Sequence, residues 1–129
     1  MKKIKRVLLI DDDEATNFLN KVILTRSKRA DEVITFQKAA EALDYLTQSS
    51  EDQIPELIFL DINMPLMDGW EFIKNYRQLE CDKKSSIIVM LTSSINPDDK
   101  AKSADFQEIN DYRTYCLLQC FHLVALFVF

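Results

Sequence analysis

Short apolar runs alternate along this chain with segments whose apolar residues recur every three or four positions. Arg6-Val-Leu-Leu-Ile10 is apolar without a break from Val7 onward, the pattern of a strand buried on both faces. It stops at Asp11-Asp12-Asp13. Phe18, Leu19, Val22 and Ile23 then repeat at helical spacing and predict a first helix. Residues 32–36 read as a second strand. Residues 38–48 read as a second helix, with Ala39, Ala42, Leu43 and Leu46 on one side. A third strand spans 54–60 and runs into Asp61. The loop that follows holds Pro65 and the chain's only glycine, Gly69, both turn formers. A third helix from Trp70 to about Leu79 buries Phe72, Ile73 and Tyr76. A fourth strand spans 86–91. Pro97 opens a fourth helix, since the first helical position needs no amide hydrogen, and 109–112 opens a fifth strand.

Strand and helix in repeated alternation predict an α/β fold, a parallel sheet with right-handed crossovers and helices on both faces. Ligands of such sheets bind beyond the carboxyl ends of the strands. The expected strands end in Asp11-Asp12-Asp13, in Asp61 and in Thr92-Ser93-Ser94. If strands one, three and four are neighbours, at least three carboxylates and a hydroxyl converge on one edge. Carboxylates that close repel one another unless a cation joins them. Mg²⁺ suits the set, being content with one or two carboxylates, a carbonyl, waters and a phosphate. The competing account of the three aspartates is helix capping, which one of them is expected to perform. The competing account of Asp61 is a solvated loop acid. Its place between Leu57-Ile-Phe-Leu60 and a turn shaped by proline and glycine argues against that.

A length of 129 residues fits one domain, and 47% hydrophobic with 29% charged residues is a globular composition. The net charge of −5 opposes a nucleic-acid binder, which would carry a basic face. The basic start, Met1-Lys2-Lys3-Ile4-Lys5-Arg6, precedes an apolar run too short for a secretory signal and reads as a solvated lead-in to the first strand. Three cysteines, Cys81, Cys116 and Cys120, form no CxxC pair and read as reduced thiols of a cytoplasmic protein. Cys116, Cys120 and His122 match no standard zinc spacing. Residues 114–129 contain no Asp, Glu, Lys or Arg. That apolar tail is shorter than the ~20 residues a membrane span needs, so no membrane is implied.

Val7-Leu-Leu-Ile-Asp-Asp12, Leu60-Asp-Ile-Asn-Met-Pro-Leu-Met-Asp-Gly69 and Val89-Met-Leu-Thr-Ser93 together resemble the receiver domain of two-component response regulators, in order and at normal spacing from about residue 4 to 114. The resemblance implies a flavodoxin-like, doubly wound sheet of five parallel strands in the order 2-1-3-4-5. It implies that Asp61 accepts a phosphoryl group, with Asp12 a direct Mg²⁺ ligand, Asp11 acting through water and the Asn63 carbonyl completing the protein ligands. Thr92 is implied as the phosphoryl contact and switch hydroxyl, and Tyr112 as the aromatic that rotates in response. Such a domain is a phosphoacceptor that assists its own phosphorylation and dephosphorylation, not an enzyme. Its implied partners are a histidine kinase or phosphotransfer protein upstream and an unnamed protein target downstream, met through the surface around helix four, strand five and the tail. A dehalogenase-type phosphatase also uses an aspartyl-phosphate but wants an acid two residues after the nucleophile, where this chain has Asn63.

One departure stands out. The family places Lys-Pro three residues past the switch aromatic, and here those positions hold Tyr115 and Cys116. The expected organisation is therefore a receiver domain over 1–114, without an output domain, and an atypical hydrophobic tail over 115–129 in place of the usual last helix. The tail is expected to be a reading-frame artefact or, if genuine, a docking element through which two copies pair. The alternative function is a pseudo-receiver, an interaction module that lost phosphorylation with the lysine.

Overall fold

The computed structural model describes residues 4–80, 84, 87–92, 97–106, 109 and 111–114. Five parallel strands, β1 (Ile4–Ile10), β2 (Ala30–Phe36), β3 (Leu57–Asp61), β4 (Ile87–Thr92) and β5 (Asp111–Thr114), form one sheet in the order β2-β1-β3-β4-β5. The helices between them are α1 (Glu14–Arg26), α2 (Ala39–Gln48), α3 (Gly69–Tyr76) and α4 (Pro97–Ser103). This is the flavodoxin-like order expected from the sequence. The tail over 115–129, including Tyr115, lies outside the described residues.

The sheet is central because its strands are apolar on both sides. Leu8, Ile10, Ile58, Leu60, Ile88 and Met90 point into one core cluster, where α2 and α3 contribute Ala42, Leu46, Phe72, Ile73 and Tyr76. Their alternating neighbours Val7, Leu9, Leu57, Phe59 and Val89 face a second cluster with Leu24 of α1. A period of two along each strand thus serves both layers. Each such buried side chain contributes about 1.5–3 kcal/mol.

The first helix forms where the spacing predicts, but its apolar repeat does not mark its buried side. Its buried residues are Asn17, Asn20 and Leu24, whereas Phe18 and Leu19 are 66% and 44% exposed. The Asn17 side-chain amide donates to the backbone carbonyls of Asp11 (2.8 Å) and Phe36 (3.2 Å), which pins that side of α1 to the corner between β1 and β2. At ~100° per residue, Phe18 and Leu19 are then turned away from the sheet. The hydrogen bonds of Asn17, not the apolar repeat, set the rotation of α1.

The other elements agree within a few residues. The third strand begins at Leu57, after a 3-10 turn at Glu51–Gln53 and buried Pro55. The fifth strand begins at Asp111 and not at 109. Among the described residues no helix is long and apolar enough to cross a membrane.

Candidate functional site

Register places the acids side by side. Ile10 of β1 pairs with Leu60 of β3, so Asp11 and Asp61 follow at the same level at the carboxyl ends of adjacent strands. Carboxylate oxygens of Asp11, Asp12 and Asp61 all lie within 4.8 Å of one another. Asp12 is exposed, and Asp11 and Asp61 are half-buried.

Asp13 is the capping residue of the trio. It stands at the N-cap of α1, where its carboxylate accepts from the Ala15 N–H at 3.0 Å and the Thr16 hydroxyl at 2.9 Å. The Asp13 N–H in turn donates to Asp11 Oδ1 at 2.9 Å, and the Asp11 N–H donates to the Phe36 carbonyl at 3.1 Å. Three consecutive aspartates therefore divide their work: Asp13 starts the helix, and Asp11 and Asp12 are left to face Asp61.

Burial first, and then the neighbouring charge of Asp11, push the Asp61 carboxyl up from 3.8 to about 7. The Asn63 N–H, 3.3 Å from Asp61 Oδ1, partly opposes the rise. Asp11 is raised to about 6, chiefly by burial, against the pull of the Asp13 N–H. Both carboxyls thus hold protons more tightly than free aspartate does, as expected where burial and like charge disfavour the ionised form. A divalent cation with oxygen ligands fits this donor set: three carboxylates meet, two of them partly desolvated.

The remaining expected site residues fall nearby. Asp61 pairs with Leu91 of β4, and Thr92 is the next residue and the last of that strand. Tyr112 of β5 pairs with Met90. The side chains of Thr92 and Tyr112 lie outside the described residues. Asn63 is exposed in the loop after β3.

Two residues that shape the site were missed in the sequence. Asn17 braces the turn carrying Asp11, and its buried Oδ1 has no hydrogen-bond partner among the described residues. Its signal was a polar residue one position before Phe18 and Leu19, which proved to be exposed. Gly69 was read as a turn former, yet its backbone is not in the left-handed region. It is required for closeness: an added β-carbon would sit 3.1 Å or less from Asp61, Ile62 and Met90.

Comparison with known proteins gives a consistent picture. The family model described as response regulator receiver domain matches residues 7–112. Response regulator Rcp1 of Synechocystis sp. is 34% identical over 113 residues, covering 85% of this chain and 76% of that protein. Hybrid signal transduction histidine kinase D of Dictyostelium discoideum is 34% identical over 102 residues, covering 75% of this chain but only 6% of the kinase. Among solved structures, the phosphorylated cyanobacterial phytochrome response regulator RcpA is similar with a TM-score of 0.78, at 34% identity over 94% of this chain and 89% of that one. The Mn²⁺-bound form of Rcp1 has a TM-score of 0.74 at 32% identity, over 93% and 88% of the two chains.

Proposed function

The chain belongs to the response regulator receiver domain family, and on that premise we propose that it is a phosphoryl-accepting switch whose acceptor is Asp61. The observation that carries this reading is the meeting of Asp11, Asp12 and Asp61 within 4.8 Å at the ends of two adjacent strands. Asp11, Asp12, Asp61 and the carbonyl of Asn63 are the residues that would hold Mg²⁺. When bound, the ion supplies positive charge that offsets both the clustered acids and the phosphoryl oxygens. The phosphorylated and Mn²⁺-bound forms known for RcpA and Rcp1 support both parts of the proposal.

In the proposed reaction an oxygen of ionised Asp61 attacks the phosphorus of a phosphohistidine. The new P–O bond forms as the P–N bond breaks, and the leaving imidazole nitrogen takes a proton. Ionisation of Asp61 is a precondition, because a protonated carboxyl is a poor nucleophile. Asn63 orients the acceptor through its N–H to Oδ1. Discharge is attack of water on the same phosphorus, which restores the carboxylate and releases inorganic phosphate. Thr92, at the end of the strand beside Asp61, is proposed to donate its hydroxyl to a phosphoryl oxygen. Tyr112, one strand further along, is proposed to follow it.

A histidine kinase or phosphotransfer protein is the proposed donor, in line with the likeness to a segment of a hybrid histidine kinase. The target is a protein met through the surface of α4 and β5, and the setting is the cytoplasm. The receiver unit is taken as 1–114. A second reading, a pseudo-receiver acting only by contact, is favoured by one feature, Tyr115 in place of the family's lysine.

Incubation with a small phosphodonor and Mg²⁺, followed by intact-mass measurement, separates the two. The expected result is a single phosphoryl adduct in the parent chain and none in Asp61→Asn, with the fold of the variant preserved. An adduct that persists in Asp61→Asn moves the acceptor elsewhere, and no adduct in either protein selects the pseudo-receiver.

A further inference from the structure

The carboxyl end of β2, a strand at the edge of the sheet, opens into a cavity of about 340 Å³. That is the lower end of the range small ligands occupy, about 300–1,000 Å³. The cavity is bordered by α1, which packs on one face of the sheet, and by the first turn of α2, which packs on the other. Glu14 opens α1 at this edge, Glu41 stands in the first turn of α2, and Lys21 lies two turns further along α1. Phe18 and Phe36 supply apolar wall, and Asn17 lines the cavity beside them. None of these residues belongs to the acid cluster.

Two features that the fold leaves unexplained meet here. Phe18 is a large ring left 66% exposed. Single exposed apolar side chains are common and need no account by themselves. Asn17 is the stronger sign. It is 3% exposed, its amide nitrogen is taken by the carbonyls of Asp11 and Phe36, and its Oδ1 has no hydrogen-bond partner among the described residues. A buried acceptor without a donor is rare in native proteins.

An ammonium group answers to this lining. It carries N–H donors for a leftover acceptor, it forms charge-assisted hydrogen bonds with carboxylates such as Glu14 and Glu41, and it is attracted to the faces of aromatic rings. Lys21 asks for the opposite charge. It is seven residues from Glu14, about 10 Å along the helix axis, so a ligand that serves both ends needs its two charges several bonds apart. We infer that this cavity is a binding site for a small zwitterion of the ω-amino acid class, its ammonium held by Glu14 and Glu41 and its carboxylate by Lys21. The site is separate from Asp61 and stands whether or not that residue accepts a phosphoryl group.

The test is a titration of the full chain followed by amide NMR, with Mg²⁺ present to keep amines off the acid cluster. The probes are ε-aminocaproate, hexylamine and caproate, which carry both charges, the ammonium alone and the carboxylate alone. The expected result is a saturable shift at residues 35–37 and at the Asn17 side-chain amide, with ε-aminocaproate binding tightest. Hexylamine and caproate should bind about two- to fivefold more weakly, the usual worth of one exposed ion pair. Glu41→Gln should weaken ε-aminocaproate and hexylamine by that factor and leave caproate unchanged. Lys21→Gln should weaken ε-aminocaproate and caproate and spare hexylamine. Both side chains are exposed, so neither variant threatens the fold. Shifts that grow without saturating, equal affinity for all three probes, or affinities that ignore both variants overturn the inference. So does a response confined to residues 61–63, which would place the amine on the acid cluster instead.

Discussion

Gly69 lies against the end of β3 so closely that a β-carbon on it would be 2.7 Å from the Asp61 carbonyl oxygen and 2.9 Å from the Ile62 Cα. Both neighbours are backbone, which cannot swing aside as a side chain would. Gly69→Ala therefore has to push β3 and α3 apart, and overpacking of this kind costs about 1–3 kcal/mol. Urea denaturation should show that loss. Mg²⁺ affinity should fall with it, because the displaced strand end carries Asp61. Unchanged stability would mean that the helix start yields more readily than the contact implies.

The raised carboxyls make the metal-free protein sensitive to pH. Asp61 and Asp11 have folded values of about 7 and about 6 against 3.8 for the free side chain. Between about pH 4 and 7 the folded chain therefore holds more protons than the unfolded one, and stability falls as pH rises. Their favourable contribution is complete below about pH 4 and gone above about pH 7. Asp52 is shifted the opposite way, mainly by the Ser50 hydroxyl, and acts only at more acid pH. With EDTA present, Tm is expected to be higher at pH 5 than at pH 8. Mg²⁺ competes with those protons, so its stabilisation should be larger at pH 8. An equal Mg²⁺ effect at both values would separate the cation from Asp11 and Asp61.

Acceptor ionisation has a kinetic counterpart. At limiting Mg²⁺, the rate of phosphoryl uptake from a small donor should climb as pH rises toward about 7, following deprotonation of Asp61. Saturating Mg²⁺ favours the carboxylate and should shift that climb to lower pH. A profile with the same midpoint at both Mg²⁺ levels would disconnect the titration from the metal site.

Leu66, in the loop after β3, has φ of 68° and is 92% exposed. Left-handed backbone costs a branched residue about 1–2 kcal/mol, whereas asparagine tolerates it. Leu66→Asn should therefore stabilise the fold by about 0.5–1 kcal/mol, because almost no buried apolar surface is given up. A thermal melt decides it, and a lower Tm would show that Leu66 makes contacts its exposure conceals.

Tyr115 stands where the family has lysine, outside the described residues. A lysine there would add a charge-assisted hydrogen bond of about 1.5–3 kcal/mol to a phosphoryl group. Tyr115→Lys with Cys116→Pro should strengthen the response of Tyr112 to phosphorylation, followed by NMR of residues 111–114. No gain would show that something other than the missing charge limits switching. If the tail is out of frame, reading the nucleotides after the Thr114 codon in the other two frames should yield Lys-Pro and an amphipathic stretch.

Much of this molecule is written in local pattern. Continuous apolar runs become strands buried on both faces, because a parallel sheet under helices on both sides offers no wet side. Aspartates directly after such runs end at the carboxyl edge, and the alternation of elements determines that edge as the place for chemistry. The alternation of strands and helices and the start of α4 at Pro97 were legible in that way, whereas strand order, and with it the meeting of the acids, followed from the resemblance to a receiver domain. Three things required the assembled fold. The rotation of α1 depends on the Asn17 amide finding the carbonyls of Asp11 and Phe36, partners up to 19 residues away that no periodicity encodes. The division of labour among Asp11, Asp12 and Asp13 depends on which one meets the first free N–H groups of a helix. The need for Gly69 comes from the approach of two elements, β3 and α3, and not from its own backbone angles. Pattern along a chain reports which residues prefer to be buried and where the backbone turns. Who touches whom is decided only when distant segments compete for the same space and the same hydrogen-bond partners.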